Sequence, residues 1–233
     1  METSTERGVP IRLVGGVAIF LHADPLHPAF AREYKDIDLV TLSGMGRNVA
    51  ELVETLNYEP VAEFNALNGH RRLKYTAAEG GGEIDIFVGE FSMCHEIPIT
   101  ERIERDPLTL PLAELLLTKL QIYELGERDM RDALALLHHH ELASHDDDAI
   151  NIDRIAELCA ADWGLWRTTC LNLDRLTACL ADVPLNPSER DALQARIDDV
   201  HERLKTEPKT RRWRMRARIG ERKRWYELPE EVG

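Results

Sequence analysis

Asp36 and Asp38 stand on either side of one isoleucine at the head of the apolar run Ile37-Asp38-Leu39-Val40. Alternate residues of a strand point the same way, so a strand here presents both carboxylates on one face. Two acids held side by side repel unless water or a cation separates them. A third acid, Asp85, lies in Glu83-Ile84-Asp85-Ile86-Phe87, again between apolar neighbours. Upstream, Gly15-Gly16 separates an apolar strand pattern at 11–14 from an apolar helix start at 17–22. Each piece alone is a weak signal; the conjunction in this order is more specific.

Around these features the chain alternates. Residues 23–28 carry two prolines and read as a loop, and 48–56 have helical periodicity. Residues 71–76 and 83–88 read as strands joined across Gly80-Gly81-Gly82. That triplet lacks a following Lys-Ser/Thr and leads into a strand, so it reads as a hairpin turn and not a phosphate loop. Beyond about residue 98 the pattern becomes helical, at 112–125, 129–139, 152–161, 165–181 and 188–205. Asn186-Pro187-Ser188, with Glu189 behind it, marks the start of the last helix. The expectation is an α+β (α/β-like) domain over 1–110 and a helical domain over 111–233 with a basic C-terminal segment.

Charge is unevenly spread. The net charge is −13. Residues 201–224 hold 11 Lys/Arg against 3 Glu (+8), whereas residues 1–200 hold 18 against 36 acids (−18). An acidic body repels nucleic acid, but a local basic segment can hold it. No apolar run approaches a membrane span, and the polar N-terminus lacks a signal-peptide pattern, so a cytoplasmic protein without membrane contact is expected. Cys94, Cys159, Cys170 and Cys179 form no Cys-x-x-Cys motif, which argues against a zinc ribbon and fits free thiols in a reducing compartment.

Phosphoryl transfer asks for such a carboxylate set. Mg²⁺ prefers hard oxygen donors, and two acids on one strand plus a third from a neighbouring strand can hold two ions. Glycines let backbone approach a phosphate at a helix N-terminus.

Val14-Gly15-Gly16-Val17-Ala18, then Arg32-x-x-Lys35-Asp36-Ile37-Asp38-Leu39, resembles the signature of nucleotidyltransferases of the DNA polymerase beta superfamily. Glu83–Phe87 looks like the strand with the third carboxylate. Arg32, and further on Lys119-Leu120-Gln121, Arg128-Asp129 and Asp132-Ala133-Leu134, resemble AbiEii-type bacterial nucleotidyltransferases. The resemblance covers about residues 10–140. It implies a mixed sheet with flanking helices, and two Mg²⁺ ions on Asp36, Asp38 and Asp85. Asp85 would also accept a proton from the acceptor hydroxyl. Gly15, Gly16, Arg32 and Lys119 would serve the nucleotide, with Lys119 meeting phosphate or a nearby carboxylate. The implied reaction moves NMP from an NTP to tRNA, a protein hydroxyl or a small molecule, in a toxin–antitoxin or defence setting. The chain departs from the pattern in the 19 residues between Gly16 and Asp36, in a glycine where many members carry Ser, and in the short Lys119-to-Asp129 spacing. A non-catalytic module of the same fold, binding nucleotide, RNA or a protein partner, is the competing reading.

Other features carry more than one reading each. His138-His139-His140 with His145 suggests a metal site or a helix-end cluster; consecutive histidines on a helix point apart. Arg128, Asp129, Arg131 and Asp132 form a solvated face, a part of the functional site, or a tie between the helical and the catalytic domain. Trp163 and Trp166 read as core or as a base-stacking platform. Residues 211–218 alternate cations with bulkier groups, as an RNA contact would, or as an edge strand or extended tail lying on the acidic body would.

Overall fold

The computed structural model describes residues 7–78 and 82–228. β1 (Ile11–Val14) runs into α1 (Gly15–His22), and a 3-10 turn at Pro28–Phe30 leads to β2 (Asp36–Thr41). Then come α2 (Gly46–Glu54), β3 (Tyr58–Pro60), α3 (Ala62–Asn68), β4 (Arg72–Ala77) and β5 (Glu83–Val88). The five strands form one sheet in the order β1-β2-β5-β4-β3. Only β2 and β5 pair in parallel; the other neighbours are antiparallel, so the sheet is mixed. The turn expected at Gly80-Gly81-Gly82 falls on Gly80 and Gly81, which lie outside the described residues; the strands on either side of it pair antiparallel.

Short pairs, β6 (Phe91–Ser92) with β7 (Glu96–Ile97) and β8 (Leu142–Ala143) with β9 (Ile150–Asn151), punctuate the rest. The remainder is helical: α4 (Leu112–Leu120), α5 (Glu127–His139), α6 (Ile152–Ala161), α7 (Trp163–Cys179), α8 (Pro187–Thr206) and α9 (Arg211–Ala217). The protein is thus mixed α+β. Among the described residues no helix is long and apolar enough to cross a membrane.

Two helix boundaries and one whole segment differ from expectation for visible reasons. α4 stops at Leu120, not near 125. Asn172 of α7 donates to the carbonyls of Leu120 (2.8 Å) and Ile122 (2.7 Å), and Arg175 donates to that of Tyr123 (2.6 Å). Those side chains satisfy carbonyls that a further turn would have used. α7 begins two residues early because Asp162 caps it, accepting from the Leu165 amide at 2.9 Å. The basic segment is a helix, neither strand nor extended tail. Thr210 caps it by accepting from the Trp213 amide (3.1 Å), and half-buried Trp213, Arg216 and Ala217 recur at helical spacing. α8 opens with the expected Asn186, its side chain and that of Glu189 exchanging backbone bonds at 3.0 Å.

The two faces of the sheet bury different partners. Leu39, Leu73, Tyr75, Ile84 and Ile86 pack against Val49, Leu52 and Val53 of α2. Val14, Val40 and Phe87, on the other face, join a larger core with α1 and the helices from α4 to α8. That core includes residues from both sides of position 110. At its centre α4 is buried throughout, including Glu114 and Lys119. Buried charges need partners, and Glu114 has Arg102 (2.8 Å) and Arg154 (3.1 Å).

Candidate functional site

Strand register builds the site. Asp38 is the direct partner of Asp85 across the parallel β2–β5 pair, and Asp36 is the partner of Glu83. On β4, Lys74 lies opposite Asp85. Paired residues share a sheet face. The face that carries Val40 and Phe87 into the core therefore carries Asp36, Asp38, Glu83 and Asp85 at its open end. Burial falls along both strands in step, from buried Val40 and Phe87 to exposed Asp36 and Glu83. An open cleft of about 670 Å³ lies there, lined by Asp36, Asp38, Arg72, Lys74, Glu83 and Asp85.

The two glycines have a steric role that their spacing alone did not reveal. Gly15 has φ +66°, in the left-handed region that favours glycine, and a β-carbon there would collide with Asp38 Oδ2. A β-carbon on Gly16 would collide with the Arg32 guanidinium. The pair thus leaves the space into which Asp38 and Arg32 fold.

Arg32 is held from two sides. Its Nε and Nη2 donate to Asp132 at 2.8 and 2.7 Å, and its guanidinium lies 4.1 Å from the centre of the Tyr34 ring. Asp132 is also 3.0 Å from Lys119 Nζ, which donates to Asp129 at 2.8 Å. Lys119 thus meets two carboxylates of α5. Burial opposes charge on Lys119, but Asp132 and Asp129 outweigh it and hold its pKa above the ordinary lysine value. Asp129 and Asp132 are therefore more than a solvated face: through Arg32 and Lys119 they tie α5 to the segment before β2 and to α4.

Asp38 is the electrostatically exposed member of the set. Burial pushes its pKa up, Lys119 pulls it down, and Asp85 and Asp36 push it up again, to about 6. Lys119 does not fully offset the other effects. Asp85 is compensated differently. Arg72 Nε donates to its Oδ1 at 2.8 Å, Arg72 Nη2 ion-pairs with its Oδ2, and Lys74 Nζ stands 3.9 Å away. Arg72 itself lies over the Phe87 ring, 4.9 Å from its centre. With Asp85 turned to Arg72, the described residues contain no group of three or more His, Cys, Asp or Glu placed to hold a metal ion.

The structure thus brings together Gly15, Gly16, Arg32, Asp36, Asp38, Asp85 and Lys119, and adds Arg72, Lys74 and Glu83, which the sequence reading passed over. The signal for two of these was present: Arg72 and Lys74 alternate on a strand that pairs with the strand of Asp85.

No protein-family model, curated protein or solved structure matches this chain.

The other candidates resolve elsewhere. His138 and His139 form the last turn of α5 and His140 follows it; His138 lies against His27 and Phe30 at 5.1 and 5.3 Å between ring centres. Trp163 is buried, whereas Trp166 is half-buried against Trp213 with ring centres 5.2 Å apart. Cys159 and Cys170 are buried, and burial pushes their thiols up to about 12 and about 11, which leaves them protonated and unreactive.

Proposed function

We propose that this chain is a nucleotidyltransferase of the DNA polymerase beta superfamily fold, transferring NMP from an NTP to a hydroxyl acceptor. The observation that carries this reading is the register of Asp38 against Asp85, with Asp36 on the same face and the Gly15-Gly16 turn closing on Asp38. The mixed five-stranded sheet, with its one parallel pair carrying the acids, is consistent with it.

Magnesium fits the donor chemistry. The donors are carboxylate oxygens only, and Asp38 bears a charge that its surroundings under-compensate. Asp36 and Asp38 would hold two ions, with Asp85 as a further ligand to one of them once Arg72 gives it up. When bound, the ions would neutralise the triphosphate and polarise the phosphoryl group under attack. The chain's own residues supply the rest. Arg72 and Lys74 border the cleft and offer cationic donors for phosphate oxygens. Asp85, freed of Arg72, is positioned beside Asp38 to accept the acceptor's proton. Lys119 and Arg32, fixed by Asp132, support the floor behind Asp38.

The test is label transfer. The protein is incubated with each α-labelled NTP, Mg²⁺ and total RNA or protein, alongside Asp36→Ala and Asp38→Ala. Labelled product with the wild type and none with either variant is expected. Absence of transfer together with absence of Mg²⁺-dependent NTP binding would reject the proposal.

The Arg72–Asp85 pair favours a second reading, a non-catalytic module in which Asp85 permanently anchors Arg72. NTP binding that survives Asp36→Ala and Asp38→Ala, without any transfer, would select it.

A further inference from the structure

A second site lies at α9, far along the chain from the carboxylates and independent of whether they transfer a nucleotide. A concavity of about 390 Å³ separates the first turn of α7 from α9. Indole rings of Trp163, Trp213 and Trp225 line it, with Arg212, Met215 and the exposed Asp162. Trp225 is packed edge-on against Trp163, their ring centres 5.9 Å apart, and Arg216 lies over Trp163 at 4.6 Å. Arg216 is fixed by donating to the carbonyls of Gly220 and Lys223, both at 2.7 Å. The walls are therefore built, with aromatic surface inside and cations around.

The cations around it are unspent. Arg211, Arg212, Arg214, Arg218 and Arg222 are exposed and make no ion pair among the described residues. The acidic body does not neutralise them: α9 packs on α6 and α7 through Trp213 and Arg216 instead. Arg167 and Arg203 nearby, by contrast, are paired with Glu221 (2.6 Å) and Asp153 (2.7 Å). A row of guanidiniums without an ion pair among the described residues, beside an aromatic concavity, suits a chain of phosphates bearing flat bases. Asp162 decides against an acidic peptide. One of its oxygens caps α7, and the carboxylate would repel a Glu or Asp side chain yet accept from the amino group of a base.

We propose that this surface binds single-stranded nucleic acid. One unstacked base enters the concavity between Arg212 and the indoles, and the flanking phosphates lie on Arg211, Arg214 and Arg218.

The experiment is fluorescence anisotropy of the full chain with labelled single-stranded RNA, single-stranded DNA of the same sequence, the matching duplex and a poly-glutamate peptide, each over a salt series. Binding of either single strand more tightly than duplex and peptide is expected; RNA against DNA identifies the source. Arg211→Ala/Arg214→Ala should make the slope of log affinity against log salt shallower by about 1.4, at about 0.7 per phosphate on a single strand. Trp213→Ala should weaken binding about tenfold and leave that slope unchanged. Because Trp213 also packs on Trp166, Met215→Glu is the companion variant. Met215 is 69% exposed, so the fold tolerates the change while an anion enters the mouth of the site. Binding of poly-glutamate as tight as of the single strands, equal binding of duplex, no binding at all, or wild-type affinity in both Arg211→Ala/Arg214→Ala and Met215→Glu would each overturn the proposal.

Discussion

Gly15 and Asp38 fit together only because Gly15 has no side chain: at φ +66° its hydrogen occupies the place where a β-carbon would meet Asp38 Oδ2. Gly15→Ala therefore combines a backbone penalty with a displacement of the carboxylate. Gly44 separates the two effects, since it has φ +82° and nothing within 4 Å of an added β-carbon. Gly44→Ala should cost about 1 kcal/mol from the left-handed backbone alone. Gly15→Ala should cost about 2 kcal/mol or more, because a buried collision is added. Denaturant unfolding of both variants checks this, and equal losses would remove the collision from the argument. Mg²⁺-dependent NTP binding should fall in Gly15→Ala only.

The raised pKa of Asp38 makes a statement about stability. In the folded chain this carboxyl titrates at about 6, against an ordinary value of 3.8. The folded state then holds more protons than the unfolded state between those values, so stability is full below about pH 4 and is lost as pH rises through 6. Asp38→Asn removes that dependence. Without Mg²⁺, it should stabilise the protein at pH 7 by about 2–3 kcal/mol, an order-of-magnitude figure from 1.36 kcal/mol per pKa unit, with the gain vanishing toward pH 4. Chemical denaturation at pH 7 and pH 4 measures it; an Asp38→Asn variant less stable than wild type at pH 7 would contradict the assignment of Asp38 as under-compensated.

Arg32, Asp132 and Lys119 behave as one unit. Asp132 is 1% exposed and meets two cations. Truncating one member leaves a buried charge short of a partner, which typically costs about 3–5 kcal/mol. Asp132→Leu and Arg32→Leu should each be destabilising on that scale, and the double variant should lose clearly less than the sum. A double-mutant cycle by urea unfolding gives the coupling. Additive losses would mean that the bidentate contact contributes little.

What the sequence made legible, and what it hid, follows from the range of each interaction. Asp36, Asp38 and Asp85 were readable because period-2 alternation fixes a strand face locally. Asn186 and Glu189 were readable because a capping box is contained within four residues. The partnership of Asp85 with Arg72 depends on the pairing of β4 with β5, which single-strand patterns do not specify. The end of α4 depends on Asn172 and Arg175, some 50 residues away. The basic segment misled because seven residues of alternating cations fit a strand as well as two helical turns; the deciding signal was the Thr210 cap. The roles of Gly15 and Gly16 were hidden altogether, since what a glycine leaves room for is a tertiary fact.

Trp225 is fastened to α7 through Thr168, whose hydroxyl also meets a buried histidine that acid should charge. Trp225 Nε1 can only donate, and it donates to Thr168 Oγ1 at 3.1 Å. Thr168 Oγ1 also lies 2.8 Å from His95 Nε2, to which it donates when that nitrogen of the neutral ring is unprotonated. Burial pushes the His95 pKa down to about 4, with Asp162 opposing weakly. Its folded value lies below the ordinary 6.5, so this contribution is fully present above pH 6.5 and is lost as pH falls toward 4. The drop should reach about 3 kcal/mol across that window, an order-of-magnitude figure from the same conversion. Thr168→Val removes that shared hydroxyl. It should detach Trp225 and flatten the tryptophan fluorescence change expected of the wild type on lowering pH from 7 to 4.5. His95→Gln, which keeps an acceptor but cannot charge, should retain the fastening throughout. A wild-type profile unchanged by either substitution would place the acid response on the carboxylates instead.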